Sequence, residues 1–228
     1  MELDKKDDSP KVSVLLLNWN GRCLLGDLLD KAIKSVLNQT YKNIEIIFID
    51  NGSTDDSIEY VTKSYGNKVK IIKLSNNMGF CVANNLGVNF SSTDSQYVMF
   101  MNSDVVLSRN YIEGLISFME QDKMIGAIQG LEISSNGTPI IGGLMDSLLG
   151  RPFTINICPK FPLKVLWVAF TVCIVDKELF LNLGGFSREL FMYHDDVDFC
   201  IRMLAYGRKS VALPYVTYFH KRGGIVRN

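Results

Sequence analysis

Two short acidic motifs carry residues that could do chemistry, and the first is Asn102-Ser103-Asp104. It interrupts an apolar stretch, residues 97–101, that is typical of a buried strand. An ionised Asp at the edge of an apolar core is costly unless a cation or hydrogen-bond donors compensate it. Because Mg²⁺ and Mn²⁺ prefer oxygen ligands, Asp104 is a candidate metal ligand. Taken alone, an Asp here is better explained as the start of a turn before Ser108, which would cap the next helix.

The second motif is HDDVDFCIR, in which Asp195, Asp196 and Asp198 fall in the first turn of a predicted helix. Negative charge is favourable at that end of a helix. Structural roles explain two of the three, with Asp195 as a cap and Asp198 paired with Arg202 at i,i+4. Asp196 then stands beside a like charge, which raises the proton affinity of a carboxylate and suits a general base.

The chain has two histidines, His194 and His220. A lone histidine is more often structural than functional. His220, however, follows the last predicted strand and precedes Lys221-Arg222-Gly223-Gly224, a basic segment with two glycines that we expect to be flexible. This setting suits contact with a metal or a diphosphate.

Alternating strands and helices must position these residues. Segments rich in apolar residues at 12–20, 44–50, 68–75 and 97–104 predict strands. Between them, apolar residues recur at helical spacing and predict helices, one of which would begin with the capping-box-like residues Ser53 and Asp56. This order predicts an α/β fold with a mostly parallel sheet and helices on both faces. The strands end in Asn18-Trp19-Asn20, Asp50-Asn51, Asn76-Asn77 and Asn102-Ser103-Asp104. Because ligands bind at the carboxyl ends of such strands, these endings predict a polar pocket.

Beyond residue 124 the regular alternation of predicted strands and helices ends. The Asn136-Gly137 pair predicts a hairpin and a small antiparallel addition. Residues 142–164 are rich in Gly and Pro and predict a long mobile loop, while residues 166–175 predict a strand. In the predicted helix that contains HDDVD, the residues predicted to face inward are Val197, Cys200, Ile201 and Leu204. Residues 76–90 predict a loop that leads into a helix, with Val82, Ala83, Leu86 and Phe90 facing inward.

Composition excludes several classes of function. Lys plus Arg and Asp plus Glu number 24 each, so no global field favours nucleic acid. Five scattered cysteines without CxxC spacing indicate a reducing compartment. The polar leader, residues 1–10, lacks the apolar core of a signal peptide, and the longest apolar run, residues 166–175, is too short to cross a bilayer. We therefore expect a soluble, cytoplasmic protein. The GxGxxG and GxxxxGK[ST] fingerprints are absent, which disfavours nicotinamide enzymes and P-loop nucleotidases.

Together the motifs resemble those of the family 2 glycosyltransferases of GT-A fold. The segments that carry the resemblance are VSVLLLNWNG, SVLNQTYKNIEIIFIDNGSTDDS, NNMGFCVANNLGV, FMNSDVVLS, GGFSRELFMYHDDVDFCIR and YFH, which span roughly residues 11–224. The resemblance implies one GT-A catalytic domain over residues 11–228, with a nucleotide-binding half at 11–123 and an acceptor and catalytic-base half at 124–228.

The resemblance also implies a reaction, in which a sugar passes from a nucleotide diphosphate sugar to an acceptor hydroxyl with inversion. Asp196 would be the catalytic base, with Asp195 where Glu is usual in the family. Asp104, in a variant of the DxD motif, would hold Mn²⁺ or Mg²⁺ with His220. Asn102 replaces an acid of that motif, which implies weaker metal binding. The nucleotide-binding positions would be Leu17, Asn18, Trp19, Asp50, Asn85, Asn102 and Ser103.

The resemblance further suggests the partners. A UDP- or dTDP-sugar would be the donor, and a glycan or a lipid-linked acceptor, with peripheral association at the inner face of a membrane, would complete the reaction. The segments NMGFCVANNLG and NSDV are similar to deoxysugar (rhamnosyl-like) transferases. The loop of residues 142–164 would be an acceptor-side lid, and Trp167 and Phe170 would either form a sugar platform or be buried in the sheet.

Two alternatives remain open from the residues. A sugar-nucleotide nucleotidyltransferase also uses an α/β sheet and an aspartate-bound metal, but its first loop is usually basic and Gly-rich, whereas NWNGRCLLG has one arginine. A non-catalytic module that binds glycan or nucleotide is the other, and the presence of both Asp104 and Asp196 argues against it.

Overall fold

Buried apolar runs alternate with amphipathic helices and build one large mixed sheet covered on both faces. The structure is a computed structural model that describes residues 9–222. Residues 1–8, most of the predicted leader, and residues 223–228, with Gly223 and Gly224, lie outside the described residues. The strands are β1 (Lys11–Asn18), β2 (Ile44–Asp50), β3 (Lys70–Lys73), β4 (Ser95–Asn102), β5 (Val105–Leu107), β6 (Ile125–Ser134), β7 (Pro139–Ile140), β8 (Gly143–Met145), β9 (Pro152–Thr154), β10 (Leu163–Val165), β11 (Val172–Asp176) and β12 (Lys209–His220).

Seven helices connect these strands within residues 9–222. They are α1 (Gly21–Leu25), α2 (Asp27–Leu37), α3 (Ser57–Tyr65), α4 (Gly79–Asn89), α5 (Tyr111–Met119), α6 (Lys177–Asn182) and α7 (Asp195–Ala205). Gly26 separates α1 from α2, and its φ of 57° is a backbone conformation that favours glycine. Over the described range, no helix has both the length and the apolar character that a bilayer crossing requires.

The sheet has the order β10-β12-β6-β11-β4-β1-β2-β3. The four strands β3, β2, β1 and β4 are parallel, as the sequence predicts for this half. Strand β11 then pairs antiparallel with β4 and β6, while β12 runs parallel to β6. Strands β5 and β7 pair antiparallel with β12 and β6, and β8 and β9 form a separate hairpin. The predicted α/β sheet with an antiparallel addition is confirmed.

Successive side chains of each strand point to opposite faces of the sheet, and each face has its own apolar core. On β4, Tyr97, Met99 and Met101 enter the core beneath α2, α3 and α5, whereas Val98 and Phe100 enter the core beneath α4, α6 and α7. The second core contains a cluster of phenylalanines whose ring centroids lie 4.8–5.7 Å apart: Phe100, Phe170, Phe180, Phe186 and Phe199. These rings fix α6 and α7 against the sheet, and α7 carries the acidic motif.

The structure corrects several local predictions. Residues 142–164 hold the β8–β9 hairpin and strand β10 instead of a structureless loop, because main-chain pairing of Leu144 with Phe153 organises the segment. The strand predicted from residue 166 begins only at Val172. In α7, Phe199 and Met203 are buried while Ile201 and Leu204 are exposed, because the phenylalanine cluster selects the inner face.

Three other local predictions are also wrong. Phe90, which follows α4, lies at the surface, and the helix buries Cys81, Gly87 and Val88 instead. Neither Ser53 nor Ser108 caps a helix, since α3 and α5 begin after Asp56 and Asn110 without side-chain caps. The Ser108 hydroxyl instead accepts a hydrogen bond from the Thr217 amide of β12.

Candidate active site

The carboxyl ends of the parallel strands meet at one rim of the sheet. Asn18 lies opposite Asp50, and Leu17 lies opposite Asn102, in the registers of β1 with β2 and β4. A cavity of about 800 Å³ opens at this rim. The predicted site residues that line it are Leu17, Trp19, Asn102, Asp104, Asp195, Asp196 and His220. The fold therefore brings the two acidic motifs and His220 to one cavity.

Asn18 and Asp50 are fully buried and support the rim from behind. The side-chain amide of Asn18 donates to Asp50 Oδ1 over 3.2 Å, and the backbone amide of Ser53 donates to Asp50 Oδ2 over 3.0 Å. The Ser53 hydroxyl also bonds Asp50 and accepts from the Asn20 amide, which explains why it does not cap α3. Gly52 makes this turn possible: its φ is 73°, and a Cβ would lie 2.4 Å from the Asn76 carbonyl carbon.

Asn85 lies away from the cavity. Its Oδ1 accepts from the Phe186 amide over 2.9 Å, and its Nδ2 donates to the Phe186 carbonyl over 2.8 Å. This two-bond contact joins α4 to the segment before α7. Ser103, also predicted to bind nucleotide, is fully buried, and its hydroxyl has no hydrogen-bond partner among the described residues.

Asp104 follows β4 directly and faces His220. Its Oδ2 lies 3.3 Å from His220 Nε2, and its backbone carbonyl accepts from the Lys221 amide over 3.2 Å. Asp104 Oδ1 is buried and has no hydrogen-bond partner within residues 9–222. A buried carboxylate oxygen without a donor is costly, so this atom is free to ligate a cation that enters the cavity.

Glu132 of β6 completes this group and was missed by sequence reasoning. It is 1% exposed; Tyr218 donates to its Oε2 over 3.1 Å, and its Oε1 meets His220 Nδ1 at 3.3 Å and the Arg222 side chain. Burial would raise the pKa of Glu132, but the hydrogen bonds from His220 and Arg222 outweigh it and lower the pKa to about 2. One feature could have indicated it: Glu132 is the sole charge in the apolar strand IGAIQGLEI.

His220 is held between two carboxylates. Burial disfavours its charged form, yet the hydrogen bonds to Asp104 and Glu132 raise the pKa of His220 to about 9. The contact with Glu132 orients the ring so that Nε2 faces Asp104. A second carboxylate behind a histidine is the arrangement that fixes the ring of many metal-ligating histidines.

The Asp195-Asp196 pair forms another wall of the cavity. It opens α7 directly after Tyr193 and His194, whose φ values of 70° and 61° are unusual for residues other than glycine. Burial, with the charge of Asp196 as a second cause, raises the pKa of Asp195 to about 7. Burial also raises the pKa of Asp196, against the Val197 amide that donates to it over 2.8 Å. A carboxylate whose pKa is raised accepts a proton more readily, as a general base must.

Asp198 has the structural role that its spacing predicts. Its carboxylate lies 2.7 Å from Arg202 at i,i+4. Arg202 also donates to the carbonyls of Leu183 and Gly185 over 2.9 Å each. The pair thereby attaches α7 to the turn after α6 and leaves Asp195 and Asp196 to face the cavity.

The β8–β9 hairpin forms the remaining side of the cavity. Pro152, Phe153 and Thr154 line it together with Trp167 and Phe170. Both aromatic rings are largely buried, at 7% and 1% exposure, and the Trp167 indole donates to the Leu144 carbonyl over 3.2 Å. The edges of these rings that reach the cavity give this side an apolar floor.

The sequence matches a known family over most of its length. The model of the family described as Glycosyl transferase family 2 matches residues 13–212. The chain belongs to this family. The predicted resemblance is confirmed.

Relatives in glycosyl transferase family 2 support the assignment. The chain is 28% identical over 218 residues to the UDP-Glc:alpha-D-GlcNAc-diphosphoundecaprenol beta-1,3-glucosyltransferase WfaP of Escherichia coli, which covers 94% of this chain and 79% of the relative. An uncharacterized glycosyltransferase of Rickettsia conorii is 41% identical over 156 residues, 66% of this chain and 24% of the relative. Against an uncharacterized glycosyltransferase of Haemophilus influenzae the identity is 34% over 118 residues, 51% of this chain. The chain spans less than half the length of the first curated relatives that it matches.

A solved structure shows the GT-A fold of this family 2 chain. The crystal structure of GalNAc-T7 with UDP, GalNAc and Mn²⁺ superimposes with a TM-score of 0.77 and 16% identity, covering 95% of this chain and 44% of that one. At this identity the similarity establishes the fold. The predicted GT-A architecture is confirmed.

Proposed function

We propose that this chain transfers a sugar from a nucleotide diphosphate sugar to a hydroxyl of a glycan or lipid-linked acceptor, by a single displacement that inverts the anomeric centre. The observation that carries the proposal is the shared cavity. One wall presents Asp104 and His220 at the carboxyl ends of the parallel strands, and another presents Asp195 and Asp196 at the start of α7. A wall that can hold a cation and a basic carboxylate on the same cavity are two groups that metal-assisted glycosyl transfer uses.

The residues present fit a divalent cation. Asp104 Oδ1 is a buried carboxylate oxygen without a donor, and His220 Nε2 lies beside the same carboxylate. We assign Asp104 and His220 as the residues that would hold Mn²⁺ or Mg²⁺, with diphosphate oxygens as further ligands. His220 would bind in its neutral form, so metal binding would release the proton that the two neighbouring carboxylates favour. When bound, the metal supplies positive charge that stabilises the leaving nucleoside diphosphate. Asn102 in place of an acid leaves one carboxylate in the motif, which fits a weakly held metal.

The nucleotide is proposed to lie along the rim. Trp19 is half-buried at the end of β1, where its ring can stack on the base, and Leu17 and Asn102 line the same side. Asp50 and Asn18 hold the rim from behind, so in this proposal their contribution is to orient it. The structural neighbour was crystallised with UDP, which supports a uridine nucleotide as the donor carrier, while dTDP is proposed from the sequence resemblance alone.

Asp196 is proposed to remove the proton from the acceptor hydroxyl as that oxygen attacks the anomeric carbon. Burial raises the pKa of Asp196 and so favours the protonated product of that step. Asp195, whose own pKa is raised to about 7, can hold a proton beside Asp196 and so limit the negative charge of the pair. The apolar floor of Trp167 and Phe170, with Phe153 above it, is proposed to receive the acceptor.

The acceptor and the compartment are proposed from indirect observations. The name of the Escherichia coli relative describes a sugar attached to diphosphoundecaprenol, which supports a lipid-linked acceptor here. All five cysteines are free in the structure, which supports a reducing, cytoplasmic setting. We propose the inner face of a membrane as the place of reaction when the acceptor is lipid-linked.

The test is release of nucleoside diphosphate from UDP- and dTDP-sugars in the presence of Mn²⁺ or Mg²⁺. Asp196→Asn should lower the rate by roughly 10²–10⁴-fold, the contribution of a general base. Asp198→Asn is the matched control, because Asp198 is paired with Arg202 and does not face the cavity. The anomeric coupling constant of the product, measured by NMR, reports whether the configuration is inverted. Full activity of Asp196→Asn would exclude this base. Pyrophosphate release from a nucleoside triphosphate and a sugar phosphate would instead identify a nucleotidyltransferase, and nucleotide binding without turnover a binding module.

A further inference from the structure

The β8–β9 hairpin and the segment after it expose an unusual number of apolar side chains. Six of the seventeen large apolar residues that are exposed in the described chain fall between positions 144 and 161: Leu144, Leu148, Leu149, Phe153, Ile157 and Phe161. Leu148, at the tip, is 88% exposed, and Phe161 is 75% exposed. Single exposed apolar residues are normal on proteins, whereas a concentration of them marks an interaction surface.

Four backbone amides at the tip of the hairpin are paired within the hairpin itself. At its tip the Leu148 and Leu149 amides donate to Asp146 Oδ1 over 2.9 and 2.7 Å. The Asp146 amide donates to the Arg151 carbonyl, and the Gly150 amide donates to the Asp146 carbonyl, over 2.9 Å each. Because an unpaired backbone group is costly in an apolar medium, this internal pairing suits a tip that enters one.

The positive charge of residues 142–164 favours an anionic partner. Residues 142–164 contain Arg151, Lys160 and Lys164 against the single acid Asp146, a net charge of +2, and the whole chain is neutral, so the remainder carries −2. All three basic side chains belong to exposed residues. Long basic side chains can reach anionic headgroups while apolar neighbours enter the acyl boundary.

We propose that the β8–β9 hairpin, with Leu148 and Leu149 at its tip, is a lipid-binding surface that docks on a bilayer carrying anionic headgroups. A second copy of the chain is a poorer partner, because a symmetric contact through this segment would bring two positively charged hairpins together. Since Pro152, Phe153 and Thr154 of the same hairpin line the cavity, docking would bring the cavity entrance close to the bilayer surface. The proposal does not depend on the reaction proposed above, because lipid binding needs neither donor nor acceptor.

The test is co-sedimentation of residues 1–228 with vesicles of phosphatidylglycerol and phosphatidylcholine, and with vesicles of phosphatidylcholine alone. Wild type should bind the anionic vesicles, and binding should weaken as salt is raised. The Leu148→Gln/Leu149→Gln variant should bind at least about tenfold less, because two leucine side chains no longer leave water. The matched control is Leu181→Gln/Leu204→Gln, two exposed leucines of α6 and α7, which should bind within about twofold of wild type. Changing Arg151, Lys160 and Lys164 together to Gln should remove the preference for anionic vesicles.

Three results would overturn the proposal. Wild type could fail to bind anionic vesicles, or the two leucine pairs could lose binding equally. A third is a dimer in sedimentation analysis that Leu148→Gln/Leu149→Gln dissociates while no vesicles bind, which would assign the surface to a second copy. Unchanged thermal unfolding of each variant shows that the fold is intact.

Discussion

Asp104 Oδ2 lies 3.3 Å from His220 Nε2, although one residue follows β4 and the other ends β12. The antiparallel pairing of β5 with β12 explains the contact, because it sets His220 opposite Val105, the neighbour of Asp104. Glu132 holds the other ring nitrogen of His220 at 3.3 Å. The cation-binding end of the proposed site therefore depends on β12, which pairs with β5 beside Asp104 and with β6, the strand that carries Glu132.

Asp104→Asn should abolish metal-dependent binding of nucleoside diphosphate. For wild type, UDP or dTDP at about a hundred times its dissociation constant should stabilise the fold by about 2.7 kcal/mol when Mn²⁺ is present, and a chelator should reverse the gain. The amide is nearly the same size as the carboxylate but carries no negative charge, so it binds a divalent cation more weakly. Thermal unfolding with and without chelator measures the effect. Asp94→Asn, which removes a surface carboxylate paired with Lys11, is the control, and metal-dependent stabilisation that persists in Asp104→Asn would rule out this ligand.

Glu132→Gln should weaken metal binding without removing a proposed ligand. The change frees the His220 ring from its second partner, and loss of such a supporting carboxylate typically costs about 10–100-fold in metal affinity. It should also lower the free energy of unfolding by about 1–3 kcal/mol, since a buried hydrogen-bonded charge is lost. Titration of Mn²⁺ by isothermal calorimetry in the presence of UDP measures the first effect. Glu45→Gln is a matched control, because Glu45 bonds Ser13 and Ser92 far from the cavity. Equal metal affinities in wild type and Glu132→Gln would contradict the positioning role.

Asp195→Asn should stabilise the protein at alkaline pH. The pKa of Asp195 is about 7 in the folded protein, above its ordinary value near 3.8, so the folded state retains a proton that the unfolded chain releases. The free energy of unfolding should therefore fall as pH rises from about 4 to about 7 and stay low above that range. The variant lacks this titration, and its gain over wild type should be about 2–4 kcal/mol at about pH 8 and small at about pH 4. Urea unfolding at both pH values measures the difference. Asp198→Asn, which breaks the pair with Arg202, should show no such gain, and a pH-independent gain in Asp195→Asn would refute titration of the buried Asp195 carboxyl as its cause.

Asn85→Ala should lower stability and leave nucleotide affinity unchanged. Both hydrogen bonds to the Phe186 backbone would be lost, and because Phe186 is 1% exposed its amide and carbonyl would be stranded. The expected loss in the free energy of unfolding is about 2 kcal/mol. Asn89→Ala, at an exposed position of the same helix, is the control. A large rise in the dissociation constant for UDP in Asn85→Ala would restore the nucleotide-binding role predicted from the sequence.

The strands of the parallel half were predictable because their signal is local. Strand β2 has the predicted bounds, Ile44–Asp50, since a continuous apolar run with β-branched residues and a polar end has one simple solution. Helix faces were less predictable. Apolar residues occupy more than one side of α7, and periodicity alone cannot tell that Phe199 and Met203, not Ile201 and Leu204, meet the phenylalanine cluster.

The candidate site was predictable in part for the same reason. Asp104, Asp196 and His220 stand out by type at the ends of strands or the start of a helix, and the structure gathers them at one cavity. Glu132 acquires its role only when β6 pairs with β12, a contact between strands that no local pattern encodes. The hairpin of β8 and β9 was missed because Leu144 and Phe153, its paired residues, are both exposed and give no alternation of apolar and polar positions.

Strand β12 pairs with β5, β6 and β10, and it is the last strand of the described chain to be synthesised. Until it docks, Asp104 and Glu132 are two carboxylates in an apolar setting that no histidine or arginine faces. A ribosome adds about 5–20 residues per second, so during synthesis a nascent chain carries this unbalanced negative charge for several seconds. We expect the edges of β5 and β6 to stay in contact with water over that time, because burying the two carboxylates unpaired is costly. The arrival of β12 brings His220 and Arg222 to these carboxylates, so the proposed cation site and the pairing of the last strand form in the same folding step.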